Sequence, residues 1–514
     1  MTAQGTDSSS SRSSFFAFDV QESKWPLAVV LSSATYLFFN LFGSLRVPYL
    51  LSGDQVYFWT YAQRMLLGEH VYRDFFQFTP PGTDLVYLLA FRIFGPRLWV
   101  TNAIVLLLGV FLCWMCYSLG RSIMSRRYAL LGYASFLVFI YGRLLNATHH
   151  WFSLAAVLGA IMILRSHTTS LNAFGAGALL GFGSFFTQSR GLVVLLAFVM
   201  FFAWERSRSG DSTAIFVKRL LLLFGGFFLT WLALSAYFIV SVGFKQLWYY
   251  QVIYAGRYMA TAHSLGLPQP ISLRTLPSLT PYLLIYFMVP VSAALALWKT
   301  IPRKERPDRE ARIAALLALA GLALAFEVTP SPNWLRIFCV AMPAVILSFW
   351  LIYQNARTRG VASCLAIAIL VFALFQSYAR RSHQTSVVSV PAGITKTTRD
   401  SAEKLNWLAQ HTVPGEAVFQ AAWPGIYLPL RLHNPLYIDV LEPRNLTRPE
   451  FIESAVSQLE TKPVRYILWT QRLNASDPAE GETAYHLAPF REFLFDRYRR
   501  IHTFADGDEL WEPK

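Results

Sequence analysis

Long apolar stretches recur along the first three quarters of the chain and predict membrane-spanning helices. A helix needs about 20 predominantly apolar residues to cross a bilayer. Eleven such stretches can be placed, at residues 26–45, 98–119, 128–145, 147–164, 172–188, 190–204, 219–241, 279–298, 311–326, 335–353 and 361–379. Residues 83–95 are apolar but too few to span, which predicts an interfacial or re-entrant helix. We therefore predict an α-helical polytopic membrane protein with about eleven transmembrane helices.

The composition excludes a chain made only of soluble domains. Hydrophobic residues make up 54% of the 514 and charged residues 15%, with a mean hydropathy of +0.38. A soluble domain carries about 25% charged residues, so the polar surface here is too small. The Ser-rich residues 1–24 are expected to be disordered and cytoplasmic. The first apolar stretch is expected to be a retained helix and not a cleaved signal peptide.

The net charge of +15 is confined to the apolar part of the chain. Residues 1–379 carry 29 basic and 13 acidic side chains, whereas residues 380–514 carry 16 and 17. No basic run resembles a nucleic-acid patch, so nucleic acid is not expected as a partner. The distribution instead favours a lipid bilayer, because Lys and Arg accumulate in cytoplasmic loops.

Alternate loops are basic, which predicts the orientation. The predicted inside loops contain most of the Lys and Arg residues, among them Arg121, Arg126, Arg127, Arg206 and Arg208. We expect a multi-pass protein of the inner (plasma) membrane with a cytoplasmic N-terminus. An odd number of spans then places residues 380–514 outside, where the pattern predicts a small α/β domain. Its predicted helices are 397–411 and 447–460, and its predicted strands 417–422, 435–441 and 465–470.

The first predicted outer loop, residues 46–97, carries the candidate chemistry. Asp54 precedes an aromatic, amphipathic stretch from Val56 to Leu67, in which Trp59 and Tyr61 suit a membrane interface. An acid beside a lipid-facing helix could act on a lipid-linked substrate. A capping role of Asp54 at the start of that helix explains the spacing equally well.

The same loop resembles that of a known superfamily. Gly53-Asp54, Tyr61-Ala62, Gly68, Tyr72, Asp74, Pro80-Pro81 and Gly95 resemble the first outer loop of the GT-C membrane glycosyltransferases. These include the protein O-mannosyltransferases, the lipid A aminoarabinose transferase and the Rgt-type sugar transferases. The resemblance covers roughly residues 26–380. One departure is that the aminoarabinose branch has an acid and a Lys before Pro-Pro, where this chain has none, so that branch's specificity is not carried over.

The resemblance implies a polyprenyl-phosphate sugar donor and an inverting transfer to a hydroxyl of a glycan, lipid or protein acceptor. It gives Asp54 the role of general base, and Asp74 that of a second carboxylate. Candidates for substrate binding, chiefly for the donor phosphate, are Arg143, Arg190, Arg257, Arg336, Glu327 and Tyr61. Glu327 could equally form an ion pair with Arg336 that shapes its turn, and Arg257 could belong to an interfacial belt helix.

A metal site is not assigned from the sequence. His149 and His150 are adjacent, so their side chains diverge on a helix, and a third ligand is not evident within one turn. Some members of the superfamily require a divalent cation and others do not, so the resemblance leaves a cation open.

Two other classes of protein compete with a glycosyltransferase. A transporter or lipid flippase should carry ionisable groups near mid-membrane on broken, repeated helices, whereas the spans here are nearly free of interior charge. A membrane-anchored receptor or assembly protein would work through residues 380–514, which contain no dense group of catalytic-type residues.

The predicted topology can be tested with a reporter fused after Ala379. An odd number of spans should place the reporter outside the cytoplasm, as measured by the activity of an enzyme that folds only there. The matched fusion within the basic loop at 121–127 should report from the cytoplasm. A cytoplasmic signal after Ala379 would contradict the eleven-span model.

Overall fold

The computed structural model describes residues 20–258, 272–302, 307–329, 333–355, 359–442, 447–474 and 487–514. Most of the N-terminal segment that the sequence predicts to be disordered lies outside these residues. The first helix begins at Val20, a few residues before the predicted start of the apolar region.

The apolar region is built from seventeen described helices. These are α1 (Val20–Leu41), α2 (Gln55–Leu66), α3 (Gly82–Phe94), α4 (Leu98–Arg121), α5 (Arg126–Ser135), α6 (Gly142–Leu144), α7 (His149–Leu164), α8 (Ser170–Ser184), α9 (Gln188–Ser209), α10 (Thr213–Val242), α11 (Phe244–Trp248), α12 (Ala255–Tyr258), α13 (Leu276–Thr300), α14 (Arg309–Val328), α15 (Trp334–Cys339), α16 (Met342–Tyr353) and α17 (Arg359–His383). Two π-helical segments, Phe136–Tyr141 and Tyr249–Tyr254, continue α5 and α11.

Every predicted apolar stretch coincides with one of these helices or with a consecutive pair. Six described helices, α4, α9, α10, α13, α14 and α17, contain a segment long and apolar enough to cross a bilayer. Helices α7 and α16 are apolar but shorter. The protein is therefore a multi-pass membrane protein, and the number of eleven spans stays a prediction.

Close glycine contacts join α8 to α10. A Cβ atom at Gly177 would lie 1.9 Å from the carbonyl oxygen of Leu223, and one at Gly181 would lie 2.3 Å from that of Phe227. A Cβ at Gly226 on the opposite helix would lie 2.2 Å from the carbonyl oxygen of Phe174. Small residues let membrane helices approach until their backbones touch. This packing explains why α8 belongs to the bundle although it has only 15 residues.

Helix α2 lies inside the protein and not at a lipid interface, which corrects the sequence prediction for 56–67. Trp59 is 1% exposed, and Tyr61 is buried in an apolar cluster with Phe75. The aromatic residues that suggested a membrane surface pack against other protein segments. Aromatic side chains favour both environments, so the sequence pattern cannot distinguish a lipid surface from a second layer of protein.

The C-terminal region, residues 384–514, combines a hairpin with a mixed sheet. Strands β1 (Phe42–Ser44) and β2 (Val47–Pro48) form a short antiparallel pair in the first loop. In the C-terminal region, strands β3 (Ser386–Val390) and β4 (Gly393–Thr397) form an antiparallel hairpin. The larger sheet has the order β5-β6-β8-β7, with β5 parallel to β6 and the other pairs antiparallel. Its elements are β5 (Val418–Gln420), β6 (Tyr466–Trp469), β7 (Tyr498–Thr503) and β8 (Glu509–Pro513), with helices α18 (Arg399–His411), α19 (Tyr427–Leu430), α20 (Pro449–Thr461) and α21 (Ala488–Arg497).

The strand predicted at 435–441 is wrong, whereas both predicted helices and the other two strands of this region are present. Residues 435–441 form no strand, because the backbone N–H groups of Leu436 and Tyr437 donate to the side chains of Asn434 and Gln458 and not to a neighbouring strand. The carbonyl oxygen of Tyr437 accepts a hydrogen bond from the Phe76 backbone N–H at 2.7 Å. The carboxylate of Asp439 forms an ion pair with the side chain of Arg64 on α2.

Arg64, near the end of α2, anchors the C-terminal region to the first loop. Its Nη1 donates to both carboxylate oxygens of Asp439, at 3.0 and 2.9 Å, and its Nε donates to Glu69 at 2.7 Å. Glu69 also contacts Nε2 of His433 at 2.6 Å. Burial alone would raise the pKa of Glu69, but His433 and Arg64 outweigh it and hold that pKa below its usual value.

We expect Asp439→Ala to destabilise the protein by about 3–5 kcal/mol, because it leaves a buried guanidinium without its main partner. Arg64 and Asp439 are 4% and 0% exposed. The measurement is thermal unfolding of the purified protein. The matched control is Glu512→Ala, which breaks the surface pair with Arg499, itself 67% exposed, and should cost less than about 1 kcal/mol. Equal destabilisation by the two variants would contradict the anchoring role.

Candidate active site

Asp54 immediately precedes α2, after a glycine with a positive φ of 85° at position 53. Its backbone is already helical, and its side chain makes no capping hydrogen bond. The capping alternative is therefore not what the structure shows. The carboxylate keeps some contact with solvent but is otherwise surrounded by protein. This burial raises its pKa above the usual value, and the charge of Arg336 opposes the rise.

A group of charged side chains from three other helices lies beside Asp54. Arg190, at the start of α9, is fully buried and pairs with Glu327 of α14 at 3.1 Å. Ser189 donates to the other carboxylate oxygen of Glu327 at 2.9 Å. Arg336, on α15, interacts electrostatically with Asp54, Glu327 and Arg190. Arg190 is thus largely neutralised by Glu327, and Arg336 is the cation shared between the two acids.

A cavity of about 750 Å³ opens next to this group. Its polar lining includes Arg336, Glu327, Gln188 and the two histidines 149 and 150. Its apolar walls come mainly from α10 and from residues 244–256, and include Phe227, Phe228, Trp231, Trp248 and Val252. A cavity that combines a cation with extensive aromatic walls fits a ligand that has an anionic head and a hydrocarbon tail.

Of the eight predicted site residues, the structure brings four together: Asp54, Arg190, Glu327 and Arg336. Arg257 is exposed, one residue beyond Gly256 of the cavity wall, and does not itself line the cavity. Arg143 lies on α6, where its carbonyl oxygen accepts a hydrogen bond from Arg380. Tyr61 stacks on Phe75 with ring centroids 5.2 Å apart.

Asp74 belongs to a tight turn of the first loop. Its carboxylate pairs with Arg73 at 2.8 Å and accepts a hydrogen bond from the backbone N–H of His70 at 2.7 Å. The hydrogen bond from Arg73 lowers the pKa of Asp74, against a smaller effect of burial, and the bond from His70 adds to the lowering. These contacts give Asp74 a role in shaping the turn.

The sequence reasoning overlooked the polar residues that support the cavity floor. Gln188 donates to the carbonyl oxygen of Gln251 at 2.9 Å, and Gln251 donates to the hydroxyl of Tyr72 at 2.8 Å. The Tyr72 hydroxyl in turn donates to the carbonyl oxygen of Thr79 at 2.5 Å. The polar run Thr187–Gln188–Ser189–Arg190 before an apolar stretch was the available signal, since polar residues at the end of a span need partners.

The rings of His149 and His150 lie 3.8 Å apart at the cavity. Within the parts of the chain that the structure describes, no group of three His, Cys, Asp or Glu side chains could hold a metal ion. A divalent cation therefore stays an open expectation from the resemblance.

Comparison with known proteins identifies the fold. No protein-family model and no curated protein matches the sequence. Among solved structures, ArnT from Cupriavidus metallidurans bound to undecaprenyl phosphate matches with a TM-score of 0.63 at 13% identity, over 95% of this chain and 98% of that one. Its apo form matches with a TM-score of 0.60 at 13% identity, over 96% and 98%. The Archaeoglobus fulgidus oligosaccharyltransferase matches with a TM-score of 0.49 at 13% identity, over 87% and 69%.

The agreement with ArnT extends over nearly the full length of both chains. The chain therefore has the fold of these ArnT structures.

Proposed function

We propose that the protein is an integral-membrane glycosyltransferase that moves a sugar from a polyprenyl-phosphate donor to an acceptor hydroxyl on the extracytoplasmic face. The observation that carries the proposal is a partly buried carboxylate, Asp54, that interacts electrostatically with Arg336, the arginine in the lining of a largely apolar cavity. The likeness to an ArnT that binds undecaprenyl phosphate supports the class of donor.

In the proposed reaction Asp54 is the general base. It takes the proton of the acceptor hydroxyl while that oxygen attacks the anomeric carbon of the donor sugar. The bond from this carbon to the phosphate oxygen breaks, and the lipid phosphate leaves with the electron pair. Attack opposite the leaving group inverts the anomeric centre.

Arg336 stabilises the charge that develops on the departing phosphate. A guanidinium presents several N–H donors in a plane and binds phosphate oxygens in pairs. Arg336 lines the cavity and interacts electrostatically with Asp54. The aromatic walls from Phe227 to Val252 would cover the prenyl chain of the donor.

The placement of charge in the helices favours an enzyme over a transporter. Helices α9 and α14 are joined by an ion pair at each end, Arg190–Glu327 at one and Glu205–Arg312 at the other. Their central segments are apolar, whereas a transporter would place ionisable groups near the middle of the membrane.

Asp54→Asn should lower kcat by about 10²- to 10⁴-fold, because an amide cannot accept the proton of the acceptor hydroxyl. The assay is sugar transfer from a polyprenyl-phosphate sugar by the purified protein, with unfolding temperature as the check on folding. Asp74→Asn is the matched control, since the same chemical change then falls in a turn outside the charged group, and it should retain most activity. Wild-type turnover by Asp54→Asn would exclude Asp54 as the base.

Arg336→Gln should raise the KM for the lipid donor by about tenfold or more, since a hydrogen bond to a charged group is lost. It should also move the acid limb of the pH profile upward. Burial raises the pKa of Asp54 above 3.8 and Arg336 lowers it, so removing Arg336 leaves the pKa higher and the base is lost at a higher pH.

The companion variant is Arg257→Gln. Both arginines are candidates for the donor phosphate from the sequence, but Arg257 is exposed and its removal should change the KM far less. An unchanged acid limb in Arg336→Gln would show that Arg336 does not influence the pKa of Asp54. A larger rise in KM for Arg257→Gln than for Arg336→Gln would assign the donor phosphate to Arg257.

A further inference from the structure

A second pocket, of about 300 Å³, lies where the first loop, the start of α4 and the C-terminal region meet. It is lined by three arginines from distant parts of the sequence: Arg46 between β1 and β2, Arg97 directly before α4, and Arg431 directly after α19. None of its lining residues also lines the larger cavity. The site is thus separate from the charged group at Asp54.

The three charges in this pocket are not balanced. Its lining contains no acidic residue; the other members are Pro48, Trp99, Pro391, Ala392, Gly393 and Ile394. In the described part of the chain, none of the three guanidinium groups forms an ion pair, and Nε of Arg431 is buried without a hydrogen-bond partner. Like charges that converge in one recess repel each other, so an anion is the ligand that this arrangement would favour.

The backbone around the pocket is built to hold these side chains. Arg431 adopts a positive φ of 54°, a conformation that costs free energy for any residue except glycine. It is held there by hydrogen bonds from the Gly415 N–H to its carbonyl oxygen and from its own N–H to Leu428, at 2.8 and 3.2 Å. Strained residues of this kind concentrate at ligand sites.

The start of α4 is fixed against the opposite wall of the pocket. The Leu98 N–H donates to the carbonyl oxygen of Ala392 at 3.2 Å, which ties the helix to the β3–β4 turn. The side chain of Arg97 folds back over Gly95, where an added Cβ would lie 3.6 Å from its Nε. The first turn of α4 also contributes the partial positive charge of a helix N-terminus.

The position of the pocket indicates how its ligand would arrive. Helix α4 is one of the six long apolar helices, so the pocket lies at the end of a membrane span. Trp99 lines the pocket and remains partly exposed, and Ile93 and Phe94 nearby are exposed apolar side chains. Tryptophan at the end of a span typically lies at the level of the lipid headgroups. Arginine binds phosphate oxygens in pairs, which suits a phosphate held at that depth.

We propose that Arg46, Arg97 and Arg431 form a second phosphate-binding site, which holds the headgroup of an anionic membrane lipid apart from the sugar donor. The bound lipid would join the start of α4, the first loop and the C-terminal region at one point.

The test measures binding of dihexanoyl phosphatidylglycerol to the purified full chain by titration calorimetry. Dihexanoyl phosphatidylcholine and inorganic phosphate serve as the comparison ligands. Wild type should bind the anionic lipid at least tenfold more tightly than either of them, and more weakly as salt rises. The triple variant Arg46→Gln, Arg97→Gln and Arg431→Gln should bind the anionic lipid about a hundredfold more weakly. The reason is that each basic residue near a lipid surface raises the affinity roughly fivefold.

The matched control replaces three exposed arginines that do not line the pocket, Arg92, Arg274 and Arg399, by Gln and removes the same total charge. It should bind the lipid as wild type does. A triple Arg→Lys variant, which keeps the charge and loses the planar fork, should bind with intermediate affinity. It also provides the measurement if the Gln variant does not fold.

Three results would overturn the proposal. Equal losses of lipid affinity in the pocket variant and the control variant would show that only the net charge of the protein matters. Inorganic phosphate bound as tightly as the lipid would make the site one for a soluble anion. Phosphatidylcholine bound as tightly as phosphatidylglycerol would remove the role of anionic charge. The binding measurement does not depend on sugar transfer, so it stands apart from the proposed function.

Discussion

The buried ion pair between Arg64 and Asp439 is the interaction on which the rest of the arrangement depends. It joins the C-terminal region to α2, the helix that Asp54 precedes at its opposite end. Two buried charges are tolerated inside a protein only when each satisfies the other. Here the guanidinium also pairs with Glu69, and Asn434 donates to the same carboxylate, so the polar groups are well supplied with partners. The pair lies on a helix that is covered by protein along most of its length, with buried residues from Gln55 to Arg64.

The same principle of satisfied charge organises the membrane helices. Arg190 and Glu327 neutralise each other at one end of the pair α9 and α14, and Glu205 and Arg312 do so at the other end. The apolar helices can then pack along their length, and α8 and α10 do so with backbone contacts through glycines. Arg336 interacts electrostatically with Asp54 and Glu327 and also lines the cavity. A rigid frame around one shared cation is what a site that stabilises developing negative charge requires.

The sequence alone predicted much of the architecture. The apolar stretches coincide with helices because about 20 apolar residues have few other stable environments than a membrane. The resemblance in the first loop pointed to a group that includes the aminoarabinose transferase, and the chain shares its fold with ArnT. Asp54 was singled out by its place directly before an aromatic helix. Four arginines were candidates because they lie at predicted outer ends of membrane helices, and Arg336 was one of them. The sequence could not rank the four, because it contains no distances between side chains.

The sequence by itself determined the division between apolar helices and a polar C-terminal region. It also determined where isolated charged residues occur within the apolar region. These follow from hydrophobicity, which acts residue by residue. Only the tertiary structure decided which charges meet. In the folded protein Arg190 pairs with Glu327, and Arg46, Arg97 and Arg431 line one pocket. Tyr61 lies in an apolar cluster, and Asp74 accepts a hydrogen bond within a turn. Electrostatic partnership depends on distance and burial across segments hundreds of residues apart, and these quantities exist only once the chain is folded.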